Sequence, residues 1–173
     1  MNTSALSVTV RRAGPADWSD LRDLRLQALR QEPLAFGSTL AREQGFSEAV
    51  WRERAVSNLT FLAHQGQRLV GTATGHAPPT GPADQVRLVA MYVDPPARGT
   101  GCAPRLIDAV ARAAAEDGAR RLLLQVTDVN RVAERCYRRY GFVETGQAMP
   151  LPHAHHVLEV EMGLDLETTV SRP

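Results

Sequence analysis

Residues 86–101 constrain the fold more than any other part of the chain. An apolar run of strand length, residues 86–93, meets Asp94-Pro95-Pro96-Ala97-Arg98-Gly99-Thr100-Gly101, and a helical pattern follows over residues 101–115. Gly118 is the expected stop of that helix. A strand that feeds a glycine-containing turn into a helix N-terminus aims several unpaired backbone N–H groups at one place. The helix dipole adds partial positive charge there, so the turn reads as a pyrophosphate site. Gly99 and Gly101 let the backbone approach a ligand with no Cβ in the way. Pro104 falls in the first helical turn, where its missing N–H costs little. The segment is not a Walker A loop, because Gly-Lys-Ser/Thr is absent. Nor is it GxGxxG, because Pro104 stands where the third glycine belongs.

The remaining pattern supplies the frame around this turn. Residues 8–12 read as a strand stopped by Gly14-Pro15. Asp17 caps a helix carrying Leu21, Leu24, Ala28 and Leu29 at helical spacing, and Pro33 ends it. Ser47 caps a second, shorter helix with Val50, Trp51 and Val56. Residues 60–63 and 69–74 flank Gln65-Gly66-Gln67, a hairpin signal, and residues 77–82 are a loop by composition. Residues 122–126 are the best buried strand, and residues 130–140 form a helix that Gly141 terminates. Two last strands, residues 142–145 and 157–164, are joined by a Pro- and His-containing loop over residues 149–156. The order implies a mixed sheet with helices on both faces, of α+β or α/β type, and one domain over residues 1–173 with a core of about 7–166.

Composition excludes several function classes. A chain of 173 residues, 43% hydrophobic and 23% charged, buries a core without disulfides or metals. A net charge of +1 argues against nucleic acid, which demands a concentrated basic face. Every basic residue is arginine, and Arg131, Arg135, Arg138 and Arg139 lie close together, so a local anion site stays open. Cys102 and Cys136 give neither a disulfide framework nor metal spacing. His153, His155 and His156 have no cysteine or acidic ligand beside them, so no metal site is expected. No apolar stretch spans a bilayer and residues 1–6 carry no signal-peptide pattern, so the expectation is a cytoplasmic protein without membrane contact.

A second pattern lies beyond the buried strand. Asn130, Ala133, Tyr137, Gly141 and Phe142 read N-x-x-A-x-x-x-Y-x-x-x-G-F, and the first three share one helix face. Taken alone, Asn130 reads as an N-cap and Tyr137 as a core aromatic. The two patterns together, in this order, resemble the GCN5-related N-acetyltransferase (GNAT) family. The resemblance covers most of the chain. It implies a central, mostly antiparallel sheet of about seven strands and an acetyl-CoA dependent N-acetyltransferase acting on a primary amine.

The resemblance also implies roles. Met91, Tyr92 and Val93 would splay from the neighbouring strand and pair their backbone with the pantetheine arm of acetyl-CoA. Backbone N–H groups of Arg98, Gly99, Thr100, Gly101, Cys102 and Ala103 would hold the pyrophosphate. Asn130 would bind the pantetheine, Ala133 would leave room for it, and Tyr137 would be the general acid that protonates the departing thiolate. Two departures stand out. Pro96 replaces the usual Gln or Arg, and Arg87 occupies about the place of a strand glutamate that relays the amine's proton. Glu43 is then the tentative base, with Asp128, His76 or a water chain as rivals. Cys102, at a helix N-terminus, is expected to have a lowered thiol pKa, though thioester-to-amine transfer needs no enzyme thiol. Homodimers, common in that family, are a further partner class. The rival readings are a non-catalytic acyl-CoA binding or sensing domain and an unrelated nucleotide-binding α/β protein.

Overall fold

The computed structural model describes residues 7–169; residues 1–6, in which no signal-peptide pattern is read, and residues 170–173 lie outside them. A seven-stranded sheet in the order β1-β2-β3-β4-β5-β7-β6 organises the fold. The strands are β1 Val8–Arg12, β2 Leu59–Gln65, β3 Arg68–His76, β4 Gln85–Val93, β5 Arg121–Thr127, β6 Val143–Leu151 and β7 Ala154–Asp165. All neighbours are antiparallel except β4 and β5, so the mixed, mostly antiparallel sheet expected from the sequence is the one observed. The parallel pair needs a crossover, and helix α4 provides it.

The helices are α1 Trp18–Gln31, α2 Leu40–Gln44, α3 Glu48–Val56, α4 Cys102–Glu116, α5 Arg131–Tyr140 and α6 Leu166–Thr169. Leu106, Ile107, Val110 and Ala114 of α4 bury against Val70, Ala73, Val86, Leu122 and Leu124 on one sheet face. Small residues on β3 allow that close approach: a Cβ on Gly75 would meet Val110 Cγ1 at 2.9 Å. On the opposite face α1 and α3 pack through Leu21, Leu24, Ala28 and Ala55 onto Leu62 and Tyr92. They cover β2 to β4 and leave the rest of that face open. There a hollow of about 360 Å³ is lined by Gln85, Arg87, Arg121, Leu123, Thr145, Gln147 and Glu161.

Several expectations change. The loop expected over residues 149–156 is mostly strand: β6 runs to Leu151, β7 begins at Ala154, and only Pro152-His153 turn. β6 is the outermost strand, exposed along nearly its whole length, so no hydrophobic alternation announces it. Pro150 is tolerated there because one side of an edge strand has no ladder to lose. Helix α2 was too short to show periodicity; Thr39 caps it by accepting a hydrogen bond from the Arg42 N–H. Asp17 and Ser47 do precede helices, but neither side chain makes a cap hydrogen bond. The Asp17 carboxylate instead accepts from the Gly14 N–H and from Arg11.

Candidate active site

The site begins with a break in the sheet. β4 and β5 are paired only from Gln85↔Arg121 to Leu88↔Leu124, and beyond Leu88 the rest of β4 has no partner on its β5 side. At the point of divergence Ala90 has φ 52, and the register with β3 slips between Thr72 and Thr74. One extra residue in β4 makes a bulge, which reverses the side-chain alternation after it. Val86 and Leu88 face the α4 core before the bulge; Met91 and Val93 face it afterwards. Tyr92 is thereby turned toward α1, where its hydroxyl donates to Gln31 Oε1 at 2.6 Å and accepts from Gln27 Nε2 at 3.1 Å. Among the three β4 residues expected to meet a cofactor, Tyr92 therefore has only its backbone to offer.

The turn after β4 is a short 3-10 helix, Pro95–Ala97, followed by Arg98 to Gly101. Ala97 is buried as its anchor. Arg98 donates through Nε to the Val93 carbonyl at 3.0 Å and through Nη2 to Glu32 at 2.9 Å, and Thr100 Oγ1 donates to the Ala97 carbonyl at 2.7 Å. Gly99 and Gly101 have φ of 79 and 82, with nothing within 4 Å of an added Cβ. The Arg98 N–H closes the 3-10 turn on the Pro95 carbonyl, so the array of free donors starts one residue later than expected. From Gly99 to Ala103 no backbone N–H is bonded within the described residues. Four or more donors at the mouth of a helix of 15 residues, with open space above two glycines, fit a diphosphate.

Cys102 departs from its expectation. It is 1% exposed, and burial pushes its thiol up to about 11, with Arg105 opposing weakly. Desolvation outweighs the helix terminus, and the side chain is a core residue.

Helix α5 carries the second pattern. Asn130 Oδ1 accepts from the Ala133 N–H at 3.2 Å, so the N-cap reading holds and its NH2 group is left as a donor. Ala133 packs partly buried against the core. Tyr137 is buried, with its ring edge-on to Phe142 at 5.8 Å between centroids. Burial, with a smaller push from Cys136, holds its phenol above the ordinary tyrosine value and thus protonated at neutral pH.

The face opposite α4 holds the carboxylates. Glu43 is 1% exposed and bonded by Arg25 (2.9 and 3.1 Å) and Arg54 (3.0 Å). Burial alone would raise its pKa; the hydrogen bonds and charge of the arginines outweigh it and the shift is downward. That pairing gives Glu43 a structural part and argues against its use as a base. Asp128 Oδ1 accepts from the Leu158 N–H at 3.2 Å, tying β5 to β7, and His76 Nδ1 meets Asn58 Oδ1 at 2.9 Å. Arg87, in the place of the strand glutamate, pairs with Glu161 of β7 at 3.2 Å.

A residue that sequence reasoning missed lies beside that pair. Glu159 of β7 is 9% exposed and sits opposite Thr127 of β5, on the face away from α4. The segment between α1 and α2 lies over it: a Cβ on Gly37 would be 3.7 Å from Glu159 Oε1. The β6–β7 turn closes on the same segment, where His153 Nε2 lies 2.8 Å from the Phe36 carbonyl. A carbonyl only accepts, so that nitrogen carries the proton. Burial raises the Glu159 pKa, and His153 opposes it. The signal was the run Glu159-Val160-Glu161, which puts two carboxylates on one face of a central strand. His155 and His156 are exposed, and among the described residues no three metal-binding side chains converge.

Comparison with known proteins agrees with this geometry. The model of the acetyltransferase (GNAT) family matches residues 18–142. Among solved structures, a GNAT acetyltransferase from Streptococcus pneumoniae superposes with a TM-score of 0.76 at 19% identity, over 92% of this chain and 99% of that one. The yncA protein of Salmonella typhimurium, solved with its cofactor acetyl-CoA, gives 0.75 at 17% identity over 92% and 94%. A ribosomal-protein-alanine N-acetyltransferase from Brucella melitensis gives 0.71 at 20% identity over 91% and 99%. No curated protein matches the sequence significantly. No helix among the described residues is long and apolar enough to cross a membrane.

Proposed function

The chain belongs to the acetyltransferase (GNAT) family, and from that premise we propose that it moves an acetyl group directly from acetyl-CoA to a primary amine, on a small molecule or a peptide, as one N-acetyltransferase domain. The observation that carries this reading is the combination of free N–H groups at the start of α4 and an unpaired β4 edge, with a buried, protonated tyrosine of α5 in the same core cluster.

Acetyl-CoA supplies an activated acetyl thioester. Gly99, Thr100, Gly101, Cys102 and Ala103 donate backbone N–H groups to its diphosphate, and the dipole of α4 adds to that attraction. The backbone of Met91, Tyr92 and Val93 offers a ladder to the arm, Asn130 donates from its NH2 group, and Ala133 leaves space. Tyr137 donates its phenolic proton to the sulfur as the C–S bond breaks. A proton is delivered well only by a group that still holds it, and burial keeps it on this oxygen. Packing between Phe142 and α5 fixes the ring, so positioning and proton delivery act together.

The test is coenzyme A release from acetyl-CoA across small amines, amino acids, aminoglycosides and peptides. Tyr137→Phe should lower kcat by about 10²–10⁴-fold while acetyl-CoA affinity stays unchanged. Full turnover in that variant removes the acid role. A wild-type protein that binds acetyl-CoA yet acetylates no amine is a binding domain, and the enzyme reading fails.

A further inference from the structure

We propose that Glu159, with Thr127 beside it, is the acceptor subsite: its carboxylate receives the acceptor's ammonium group and takes the proton that must leave before the nitrogen can attack. The inference rests on the acetyl-transfer reading above and names the base which that reading lacks.

Three observations place the subsite. Glu159 and Thr127 are cross-strand partners on one face of the sheet, at the C-terminal end of β5, where β4 has already diverged. Thr127 is 2% exposed and its hydroxyl has no hydrogen-bond partner. The Glu159 carboxylate makes no hydrogen bond or ion pair among the described residues, although the residue is 9% exposed. Buried polar groups are normally satisfied, and an unsatisfied hydroxyl beside a carboxylate without a protein partner suits a ligand that brings its own donors. An ammonium group brings three. The carboxylates nearby are otherwise engaged: Glu43 by two arginines and Glu161 by Arg87.

Little else around Glu159 competes for its charge. Gly37 approaches Glu159 with backbone only, Met149 of β6 lies opposite it in register, and His153 is the titratable group facing it from the β6–β7 turn. On its own strand the next charge is Glu161, already paired. An ammonium is therefore the group that best neutralises Glu159, which selects cationic amines over neutral or acidic acceptors.

The proton balance closes. Of the three ammonium protons, Glu159 takes one and returns it to water. The freed lone pair forms the C–N bond to the acetyl carbon as the C–S bond breaks. Tyr137 gives its proton to sulfur and is reprotonated by the second proton leaving nitrogen, and the third stays on the amide.

The linkage sign provides a readout independent of turnover. A buried carboxyl with a raised pKa stabilises the fold below its unfolded pKa, and that contribution is lost as pH rises through its folded pKa. The isosteric Glu159→Gln should therefore melt at the same temperature as wild type, or higher, at pH 8; the gap should close as pH falls through the carboxylate range. A carboxylate with a merely structural role would give a lower Tm instead, and that result overturns the proposal.

In steady state with n-butylamine and the best amine of the panel, Glu159→Gln should lose at least tenfold in kcat/KM and lose the acid limb of the wild-type pH profile. Its acetyl-CoA affinity should not change. Thr127→Val should raise the acceptor KM several-fold. If Glu159→Gln keeps wild-type kcat/KM and the same profile, the subsite is elsewhere and acetyl transfer stands. If wild type itself releases no coenzyme A with any amine, the transfer reading falls and takes this one with it.

Discussion

Glu43 has both carboxylate oxygens bonded to arginine inside the protein, and its removal would leave those charges without a counter-ion. Arg25 is only 12% exposed and cannot turn to water, whereas Arg54 at 39% can. Glu43→Gln should therefore cost about 3 kcal/mol, a fall in Tm of about 6–12 °C, with little effect on the acetyl-CoA dependence of whatever folded protein remains. Thermal melting alongside acetyl-CoA titration checks both halves. The sequence could nominate Glu43 as an acid near the acceptor side, yet nothing near it in the chain reveals that Arg25 and Arg54, 18 and 11 residues away, claim it. Glu159 failed to show for the complementary reason. Its isolation is a property of the segment folded over it, which lies more than a hundred residues earlier.

At the scale of the element, the turn into α4 was the most legible part of the molecule, because its chemistry is local. Glycine spacing, helix start and proline placement all act within a few residues, and Gly99 and Gly101 adopt the left-handed φ that such a turn requires. Gly101→Ala should strain that conformation by about 1 kcal/mol and tilt the donors, weakening acetyl-CoA about tenfold by calorimetry. Gly118→Ala is the control: φ 90 at the other end of the same helix, equally open, imposes the same strain with no loss of affinity. The β6–β7 hairpin was legible only at its outer segments, residues 142–145 and 157–164, and for the opposite reason its inner stretches were not. An exposed edge strand is specified by its partner's hydrogen bonds, which leave no mark on hydrophobic pattern.

Across the whole molecule, the sheet is two halves sharing a short seam. β1 to β4 form one, β5 to β6 the other, and the sheet joins them only between Gln85–Leu88 and Arg121–Leu124, with α4 laid across the core. On its β5 side the open stretch of β4 has no strand partner among the described residues. Acetyl-CoA should therefore slow amide exchange at residues 89–93 and 99–103 in particular, and at one hundred times its Kd should stabilise the fold by about 2.7 kcal/mol. Uniform protection, or none near the seam, would place the ligand elsewhere. The fold class was readable because element order and the single crossover helix are global features of the pattern; of the seam, the resemblance implied only that residues 91–93 splay, and the residue at which pairing stops was not readable, because a register is a relation between strands.

The bulge at Ala90 has a consequence for how this chain can change. A strand is read two residues at a time, one for each face, and the additional residue shifts that reading by one for everything that follows in β4. Flattening the bulge with every residue kept would change no side chain's identity. It would nonetheless return Tyr92 to the α4 side and turn Met91 and Val93 away from it, dismantling the Gln27–Tyr92–Gln31 network that fastens the strand to α1. A one-residue deletion at Ala90 has the opposite effect: Val89 and Tyr92 lie opposite Thr74 and Thr72, on one face already, so the residues left keep their sides.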